Sequence, residues 1–436
     1  MLRKFDYDKI PVVEVVNDII VDSAKRRASD IHFDPHEKFL LVRIRIDGEL
    51  IDYAEIPNTH KKNLITRVKI ISGMNITESR LPQDGAIKTR LKDVDLDLRV
   101  SSLPTNNGEK IVIRILDYTM SSQGLETLGF SESNLEKVKN MIKVPNGIIL
   151  VTGATGSGKS TTVYSILGRL NKEDINLMTV EDPIEMDIEG INQIQVNSEI
   201  GLTFANVLRS VLRQDPNIIM IGEIRDTETA QIAVRASITG HLVLSTLHTN
   251  NSLNTIERLL DMNVERYLLG SALTGIISQK LARQLCDCKR KKATNEYERN
   301  LFKKVLNKDV DEIYVPGVCP ECNSGYKGRT AIQEVLMINE EIRDAITNNV
   351  RKEELRKLVY DRSGTTTLLQ DGLMKVVEGS TSLEEVLKLI ELDDSMEEKK
   401  QLKVGELISS KQKETTNEVN PIEISLEDIG EEILDL

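Results

Sequence analysis

The sequence lacks tryptophan altogether, and aromatic residues make up only 3% of its 436 positions. Hydrophobic residues reach 39%, so the chain can still bury cores, which we expect to consist mainly of isoleucine, leucine and valine. No apolar run approaches the length of a membrane span. The N-terminus is charged and has no apolar stretch typical of a secretion signal. These features predict a cytoplasmic protein of two or three domains.

Cysteine is also scarce, and charge is unevenly placed. The four cysteines form two close pairs, Cys286 with Cys288 and Cys319 with Cys322. In a reducing compartment, such pairs favour a metal over disulfides.

The net charge is −12, but residues 391–436 alone contain 14 acidic and 5 basic residues. The rest of the chain is nearly neutral, which argues against broad nucleic-acid binding.

Hydrophobic patterning predicts an α/β protein with several parts. Before residue 119, helical stretches alternate with strand-like ones, and hairpin turns are predicted at Asp47-Gly48 and Lys92-Asp93. Later, short wholly apolar runs alternate with helices, which is typical of a parallel sheet covered on both sides. The predicted parts are an α+β domain (1–118), a linker (119–124), a parallel-sheet core (125–281), a tetracysteine module (282–330), a helical part (331–395) and an acidic disordered tail (396–436).

Two capping patterns predict helix starts. Ser133 with Glu136, and Ser382 with Glu385, have the spacing of a capping box.

A phosphate-binding loop is the clearest chemical signal. Residues 153–160 read G-x-x-x-x-G-K-S, follow the apolar run Ile148–Val151 and open a predicted helix. Backbone N–H groups and the helix N-terminus can hold phosphate there, with Lys159 reaching the β- and γ-phosphates and Ser160 holding Mg²⁺. A glycine-rich turn without this role is the alternative. The predicted nucleotide-binding residues are Gly153, Ala154, Thr155, Gly156, Ser157, Gly158, Lys159, Ser160 and Thr161.

ATP is the predicted nucleotide. Residues Asn171–Asp174 match the guanine-reading N-K-x-D pattern of GTPases. They follow the loop too closely, at the end of the same predicted helix, to reach a base.

Three further segments carry polar residues beside apolar strands. The buried run Ile218–Ile221 leads to Glu223, which could polarise the attacking water. Gly222 stands where many P-loop ATPases have a Mg²⁺-binding aspartate. Thr179–Glu185 is acidic, and Thr239–Thr249 contains two histidines. Taken singly, these could be a strand-end glutamate, an acidic turn and core histidines.

In this order, the segments resemble the secretion ATPase family, the GspE/PilB-like motors of type II secretion and type IV pilus assembly. Its Asp box, T-x-E-D-P-x-E, is similar to Thr179–Glu185, and its Walker B end to Gly222–Asp226. Its histidine box is similar to Thr239–His248. The resemblance covers about residues 12–392 and extends to Ala28–His32, Arg80–Gly85, Arg99–Thr105, Gly108–Lys110, Asp371–Leu373 and Gly379–Ser382.

The resemblance implies a PAS-like N-terminal domain, a RecA-like ATPase domain and roles for individual residues. Arg99 and Arg114 would be arginine fingers, although either could be an ordinary strand arginine. Other implied roles are phosphate or subunit-boundary contacts for Arg209, Arg213 and Arg225, Mg²⁺ coordination for Glu181, Asp182 and Glu185, and sensing of the γ-phosphate for His248. The predicted catalytic residues are Glu223, Lys159, Arg99, Arg114, Glu181 and His248.

Assembly-type members of this family carry a tetracysteine zinc module. Cys286, Cys288, Cys319 and Cys322 are therefore predicted to bind structural zinc. The first pair is C-x-C, where the family usually has C-x-x-C, and reduced thiols without metal are the alternative. The basic run Lys289–Lys292 could suggest nucleic acid, but a solvated face of the module is the preferred interpretation.

The resemblance implies a hexameric ATPase, usually two-fold symmetric, on the cytoplasmic face of the cell membrane. ATP hydrolysis would act on an inner-membrane platform protein (GspF/PilC-like) to assemble a type IV pilus, a competence pilus or a type II secretion pseudopilus. A retraction ATPase is one alternative, although retraction motors usually lack the tetracysteine module. A non-hydrolysing nucleotide-binding scaffold and a DNA translocase are the others.

Overall fold

The computed structural model describes residues 2–7, 9–91, 94–116, 124–320 and 322–390. One compact unit spans Met1–Val386, and the remainder, from Leu387, is described only as far as Ile390. Apart from Gly124, the predicted linker lies outside the described residues, and so does the predicted acidic tail.

The first part of the chain contains two helices and six strands. They are α1 (Val12–Lys25), β1 (Ala28–Pro35), β2 (Phe39–Ile46), β3 (Glu49–Pro57), α2 (Asn58–Ile71), β4 (Gln83–Leu91), β5 (Val94–Thr105) and β6 (Gly108–Leu116). The strands form one antiparallel sheet in the order β3-β2-β1-β6-β5-β4.

Local sequence explains these elements. Asp47 and Gly48 have positive φ angles of 50° and 90°, as a two-residue hairpin turn requires, and they join β2 to β3 as predicted. The second predicted hairpin pairs β4 with β5, and its turn at 92–93 lies outside the described residues. Helix α1 buries Val16, Ile19 and Ile20, and its apolar side belongs to the same core as the sheet.

The described residues from Gly124 onwards form further α-helices and strands. They are α3 (Glu132–Met141), β7 (Gly147–Thr152), α4 (Lys159–Leu170), β8 (Leu177–Glu181), β9 (Asn192–Gln195), α5 (Phe204–Val211), β10 (Ile218–Ile221), α6 (Thr227–Ile238), β11 (Leu242–Leu247), α7 (Ser252–Asp261), α8 (Arg266–Ala272), β12 (Leu273–Leu285), β13 (Arg290–Ala293), α9 (Glu296–Leu306), β14 (Glu312–Val315), β15 (Tyr326–Met337), α10 (Glu340–Thr347), α11 (Lys352–Lys357), α12 (Leu368–Val377) and α13 (Leu383–Leu389).

A mixed seven-stranded sheet organises this second part. Its order is β15-β12-β7-β11-β10-β8-β9, and all neighbouring strands are parallel except β12 and β15. Every residue of β7, β10 and β11 is buried, which explains their wholly apolar or small-residue sequences. Because the strands are parallel, the residues that follow β7, β8, β10 and β11 lie along one edge of the sheet. A binding site is therefore expected at this edge of the sheet.

The cysteine-containing segment lies between β12 and β15. It includes the two-stranded sheet of β13 and β14 and helix α9. The domain boundaries predicted at 281/282 and 330/331 fall within β12 and β15. These boundaries stay predictions, as do the PAS-like and RecA-like descriptions.

The β2–β3 turn of the first part contacts the second part. Gly328 N donates to Asp47 Oδ2 at 2.8 Å. Glu49 forms an ion pair with Arg283 and accepts from Asn323 Nδ2 at 3.4 Å. One short turn therefore bonds to β12, to the cysteine-containing segment and to the start of β15.

One predicted helix start is wrong, and another is confirmed. Helix α3 is capped by Ser131, whose side chain accepts from Asn134 N, so the helix begins before Ser133. Ser133 lies in the first turn, too late to act as the cap. In α13, Ser382 Oγ accepts from Glu385 N at 3.2 Å, as the capping pattern predicts.

Candidate nucleotide site and cysteine cluster

The predicted phosphate loop joins β7 to α4. Gly153, Gly156 and Gly158 have φ angles of +148°, +78° and +86°, a region that other residues rarely adopt. A Cβ atom at Gly153 would lie 2.4 Å from Gln279 O and 2.5 Å from Ser157 Oγ. Glycine is therefore required there by both backbone angle and space.

The loop has the donors that a nucleotide phosphate needs. Ser157 Oγ is buried and has no hydrogen-bond partner among the described residues. Lys159 Nζ folds over the loop and donates to Gly153 O at 2.9 Å and Ala154 O at 3.1 Å. Ser160 is exposed in the first turn of α4, where backbone N–H groups are unpaired. The residues present fit a bound phosphate group.

Glu223 is the centre of a charged cluster at the carboxyl edge of the sheet. One carboxylate oxygen accepts from Arg225, and the other lies 3.4 Å from His248 Nε2. Arg225 NH1 also lies 3.8 Å from Asp182 Oδ2. These residues follow β8, β10 and β11, so parallel pairing brings together three segments that are far apart in sequence.

The surrounding charges keep Glu223 ionised. Burial by itself raises the pKa of this carboxyl, but the Arg225 guanidinium, with smaller effects from His248 and Lys159, lowers it below the ordinary value. Burial lowers the pKa of Lys159, and Glu223 partly opposes that shift. An ionised carboxylate that faces a lysine of the phosphate loop is suited to accept a hydrogen bond from water.

Glu181, at the end of β8, is buried, and both of its carboxylate oxygens accept hydrogen bonds. One oxygen accepts from Thr179 Oγ1 and from Gln193 Nε2 at 3.1 Å, and the other accepts from the Tyr164 hydroxyl. This carboxylate fixes the acidic turn that follows it. Mg²⁺ coordination by Glu181 stays a prediction, and the side chain of Asp182 is the more open one.

Arg99 reaches the second part of the chain, whereas Arg114 pairs within its own sheet. Arg99 NH2 donates to Ile184 O at 2.6 Å, and its NH1 lies 3.4 Å from Glu185 Oε2. Arg114 is the cross-strand neighbour of Arg99 and lies 3.2 Å from Asp30 Oδ1. Arg99 therefore contacts the acidic segment that the sequence singles out.

Arg209 and Arg213 lie together at the end of α5. Arg209 forms an ion pair with Glu228, and Arg213 donates to Arg209 O at 2.7 Å and to Ser210 Oγ at 3.1 Å. Both arginines therefore bond to residues of α5 and α6. Their predicted roles at the phosphates or at a subunit boundary stay predictions.

The four cysteines converge. Cys286 and Cys319 Sγ atoms are 3.8 Å apart, Cys288 and Cys322 Sγ atoms are 3.7 Å apart, and all four lie within 4.8 Å of one another. These separations are too long for disulfides. A tetrahedron with zinc–sulfur bonds of about 2.3 Å has sulfur–sulfur edges of about 3.8 Å. The cluster could hold a zinc ion, and the C-x-C pair fits this arrangement.

Two of the four basic residues after Cys288 form ion pairs within the chain. Lys291 lies 3.0 Å from Glu312, and Lys292 lies 2.8 Å from Glu298. Lys289 donates to Gly379 O and lies over the ring of Tyr314. These contacts agree with a structural face rather than a nucleic-acid site.

Sequence reasoning missed three polar residues near the loop, of which Tyr164 and Gln279 are buried. Tyr164 and Gln193 bond to Glu181, and Gln279 bonds to the phosphate loop itself. None of them belongs to a short motif, and a single polar residue in an apolar stretch gave no signal.

Searching the described residues for a membrane-spanning helix finds none that is both long and apolar enough.

Comparisons with known proteins identify the family. A type II/IV secretion system protein profile matches residues 6–388. Type II secretion system protein E of Aeromonas hydrophila is 45% identical over 391 residues, which cover 88% of this chain and 77% of that protein. Type II secretion system ATPase E of Vibrio cholerae is 44% identical over 384 residues, 88% of this chain and 76% of that protein.

Solved structures agree in fold. The pilus retraction motor PilT with bound ADP matches with a TM-score of 0.60 and 26% identity, over 88% of this chain and 98% of that one. The ATPase DotB of Legionella pneumophila matches with a TM-score of 0.66 and 24% identity, over 88% and 97%. The chain therefore belongs to the type II/IV secretion system protein family, and it is a secretion-system ATPase.

Proposed function

We propose that this protein is a hexameric motor whose ATP hydrolysis drives filament assembly through a membrane platform protein. The observation that carries the proposal is the meeting of Lys159, Glu223 and His248 at the carboxyl edge of the sheet. The relatives named above are secretion proteins, and this favours a type II pseudopilus or a related pilus as the filament. The protein would work at the cytoplasmic face of the membrane.

In this proposal, the P-loop backbone and Lys159 bind the β- and γ-phosphates of ATP. A Mg²⁺ ion held by Ser160 and Asp182 would neutralise phosphate charge. Glu223, kept ionised by Arg225, accepts a hydrogen bond from water and orients it for attack on the γ-phosphate. His248, next to Glu223, could respond when the γ-phosphate leaves.

The arginines would complete the site. Arg99 bonds to the acidic segment of its own chain, so a shift of the first part could move it onto the phosphates. An arginine placed on the transferred phosphoryl group can raise the rate about 10³–10⁵-fold. Arg114 would be the second arginine finger, and Arg209, Arg213 and Arg225 would act at the phosphates or at the boundary with the next subunit. The four cysteines would hold zinc.

ATP turnover per protomer, measured against protein concentration, tests the motor. We expect turnover to rise cooperatively with concentration as rings form. Glu223→Gln should lower it by about 10²–10⁴-fold while ADP binding persists, and Arg99→Ala should also abolish most of it. Arg26→Ala, which removes an exposed arginine paired with Asp22 beside α1, is the matched control. If turnover is negligible and does not change with protein concentration, added platform protein or added lipid, the motor proposal is wrong. The protein would then be a nucleotide-binding scaffold.

The direction of work needs a test in cells. The match to a retraction motor raises the alternative that this protein dismantles filaments. The four-cysteine cluster favours assembly, because the assembly branch of the family carries this module. Deleting the gene should abolish filaments if the protein assembles them, whereas excess filaments would indicate retraction.

A further inference from the structure

The phosphate loop follows β7 and lies beside β12, which extends further than β7 at this end of the sheet. β7 ends at Thr152, whose parallel partner on β12 is Ser278. β12 runs on to Leu285, so Gln279 lies at the level where the loop begins. Its side chain is buried, with only 2% of the residue exposed. Both the backbone and the side chain of Gln279 therefore face the loop.

Both ends of the Gln279 amide are bonded. Nε2 donates to Ser157 O, inside the loop, at 2.7 Å. Oε1 accepts from Thr162 Oγ1, on α4, at 2.8 Å. Packing is close as well, because a Cβ atom at Gly158 would lie 3.1 Å from Nε2. One buried side chain thus ties the loop to the first turn of its helix.

This bond fixes the direction of the next peptide group. A trans peptide is planar, so the N–H of Gly158 points opposite to the C=O of Ser157. Holding the Ser157 carbonyl against Gln279 therefore directs the Gly158 N–H away from the Gln279 side chain, and in the proposed site this N–H donates to phosphate. Without the anchor, the peptide could rotate and present a carbonyl oxygen, which repels phosphate.

We propose that Gln279 is a positioning residue of the nucleotide site, which anchors the Ser157 carbonyl and so keeps loop 153–160 in its phosphate-binding shape. The inference rests on the proposed assignment of this loop as the nucleotide site. It goes further because it gives a role to a residue outside the loop and outside every motif of the sequence.

Gln333 provides a matched control. It lies directly opposite Gln279 on β15 and is fully buried. Its side-chain nitrogen and oxygen have no hydrogen-bond partner among the described residues. Replacing either glutamine by leucine removes a buried amide from the same sheet, but only the change at Gln279 removes a bond to the loop.

The test compares Gln279→Leu with Gln333→Leu in competition against fluorescent ADP. For Gln279→Leu we expect the affinities for ADP and for inorganic pyrophosphate to fall about tenfold, as loss of a buried hydrogen bond predicts. The affinity for adenosine, which has no phosphate, should stay within about twofold. Thr162→Val, which removes only the second bond, should give a smaller loss. Gln333→Leu should leave all three affinities unchanged.

Each outcome either supports or overturns the proposed role of Gln279. Unchanged ADP and pyrophosphate affinities in folded Gln279→Leu would overturn the inference, and so would an equal loss of adenosine, ADP and pyrophosphate affinity. An equal loss in Gln333→Leu would do the same. If Gln279→Leu does not fold, Thr162→Val decides, and its pyrophosphate affinity must fall more than its adenosine affinity. Lys159→Ala separates the two proposals, because normal ADP binding in that variant would instead overturn the nucleotide site.

Discussion

The surroundings of two glutamates in the ATPase part shift their pKa values in opposite directions. Glu223 sits beside Arg225, His248 and Lys159, which lower its pKa. Glu334, on β15, is almost completely buried, and the groups that donate to its carboxylate are neutral, among them Ser252 N at 2.9 Å and Tyr360 Oη at 3.2 Å. Burial therefore raises the pKa of Glu334. Nearby positive charge favours the ionised form of Glu223, whereas burial disfavours the ionised form of Glu334.

Glu334→Gln should show this cost as a pH-dependent change in melting temperature. The folded-state pKa lies above the ordinary value, so the wild-type protein loses stability as pH rises from about 4.5 through the folded pKa, by up to about 1.4 kcal/mol per pH unit. Glutamine does not titrate. We therefore expect the melting temperature of Glu334→Gln, relative to wild type, to rise as the pH increases above about 4.5.

The control for that measurement is Glu173→Gln, which changes an exposed carboxylate that pays no burial cost. A difference between Glu334→Gln and wild type that stays constant across the range would contradict the prediction.

At the scale of single residues, the sequence indicated the side chains that belong to motifs. The loop 153–160 could be predicted because its glycines, lysine and strand–loop–helix context are local. Gln279 could not, because its role depends on β12 lying next to β7, a pairing between residues about 130 positions apart. The engagement of Glu181 by Tyr164 and Gln193 was equally invisible.

At the scale of elements, the cysteine-containing segment is held by close backbone approach. A Cβ atom at Gly317 would lie 1.9 Å from Cys288 O, so only glycine lets these two loops meet. Cys286 N donates to Gly325 O at 2.9 Å, which joins the first cysteine pair to the turn after the second. A metal bound by the four cysteines would cross-link these loops directly.

Removing that metal should destabilise this segment. We expect purified protein to contain about one zinc per chain and a strong chelator to lower the melting temperature by about 5 °C or more. The doubly substituted Cys319→Ser, Cys322→Ser protein should bind no zinc and should not respond to the chelator. Wild-type protein without zinc, and with unchanged melting in chelator, would favour four reduced thiols.

At the scale of the whole molecule, two groups of bonds between described residues join the first part of the chain to the second. Arg99 bonds to the acidic segment beside the nucleotide site. The β2–β3 turn bonds to Arg283, Asn323 and Gly328 through Asp47 and Glu49. A motion of the first part that is driven at one contact must change or strain the other. The proposed motor would have to accommodate both contacts as its parts move.

Asp47→Ala tests the second contact. The Gly328 N–H donates to the Asp47 carboxylate, so we expect this amide to exchange with deuterium about tenfold faster in the variant. Glu55→Ala, an exposed position on the same hairpin, is the control. Equal exchange in both variants would mean that the turn does not hold the two parts together.

The sequence by itself determined the phosphate loop, the two hairpins, the apolar parallel strands and the pairing of cysteines, because each depends on residues close together along the chain. It placed the cap of α3 at Ser133, whereas Ser131, two residues earlier, caps the helix. Tertiary structure alone decided that Asp182, Glu223, Arg225 and His248 meet, and that Gln279 anchors the loop. These contacts depend on which strands are neighbours, and hydrophobic patterning shows that strands are buried without showing their order.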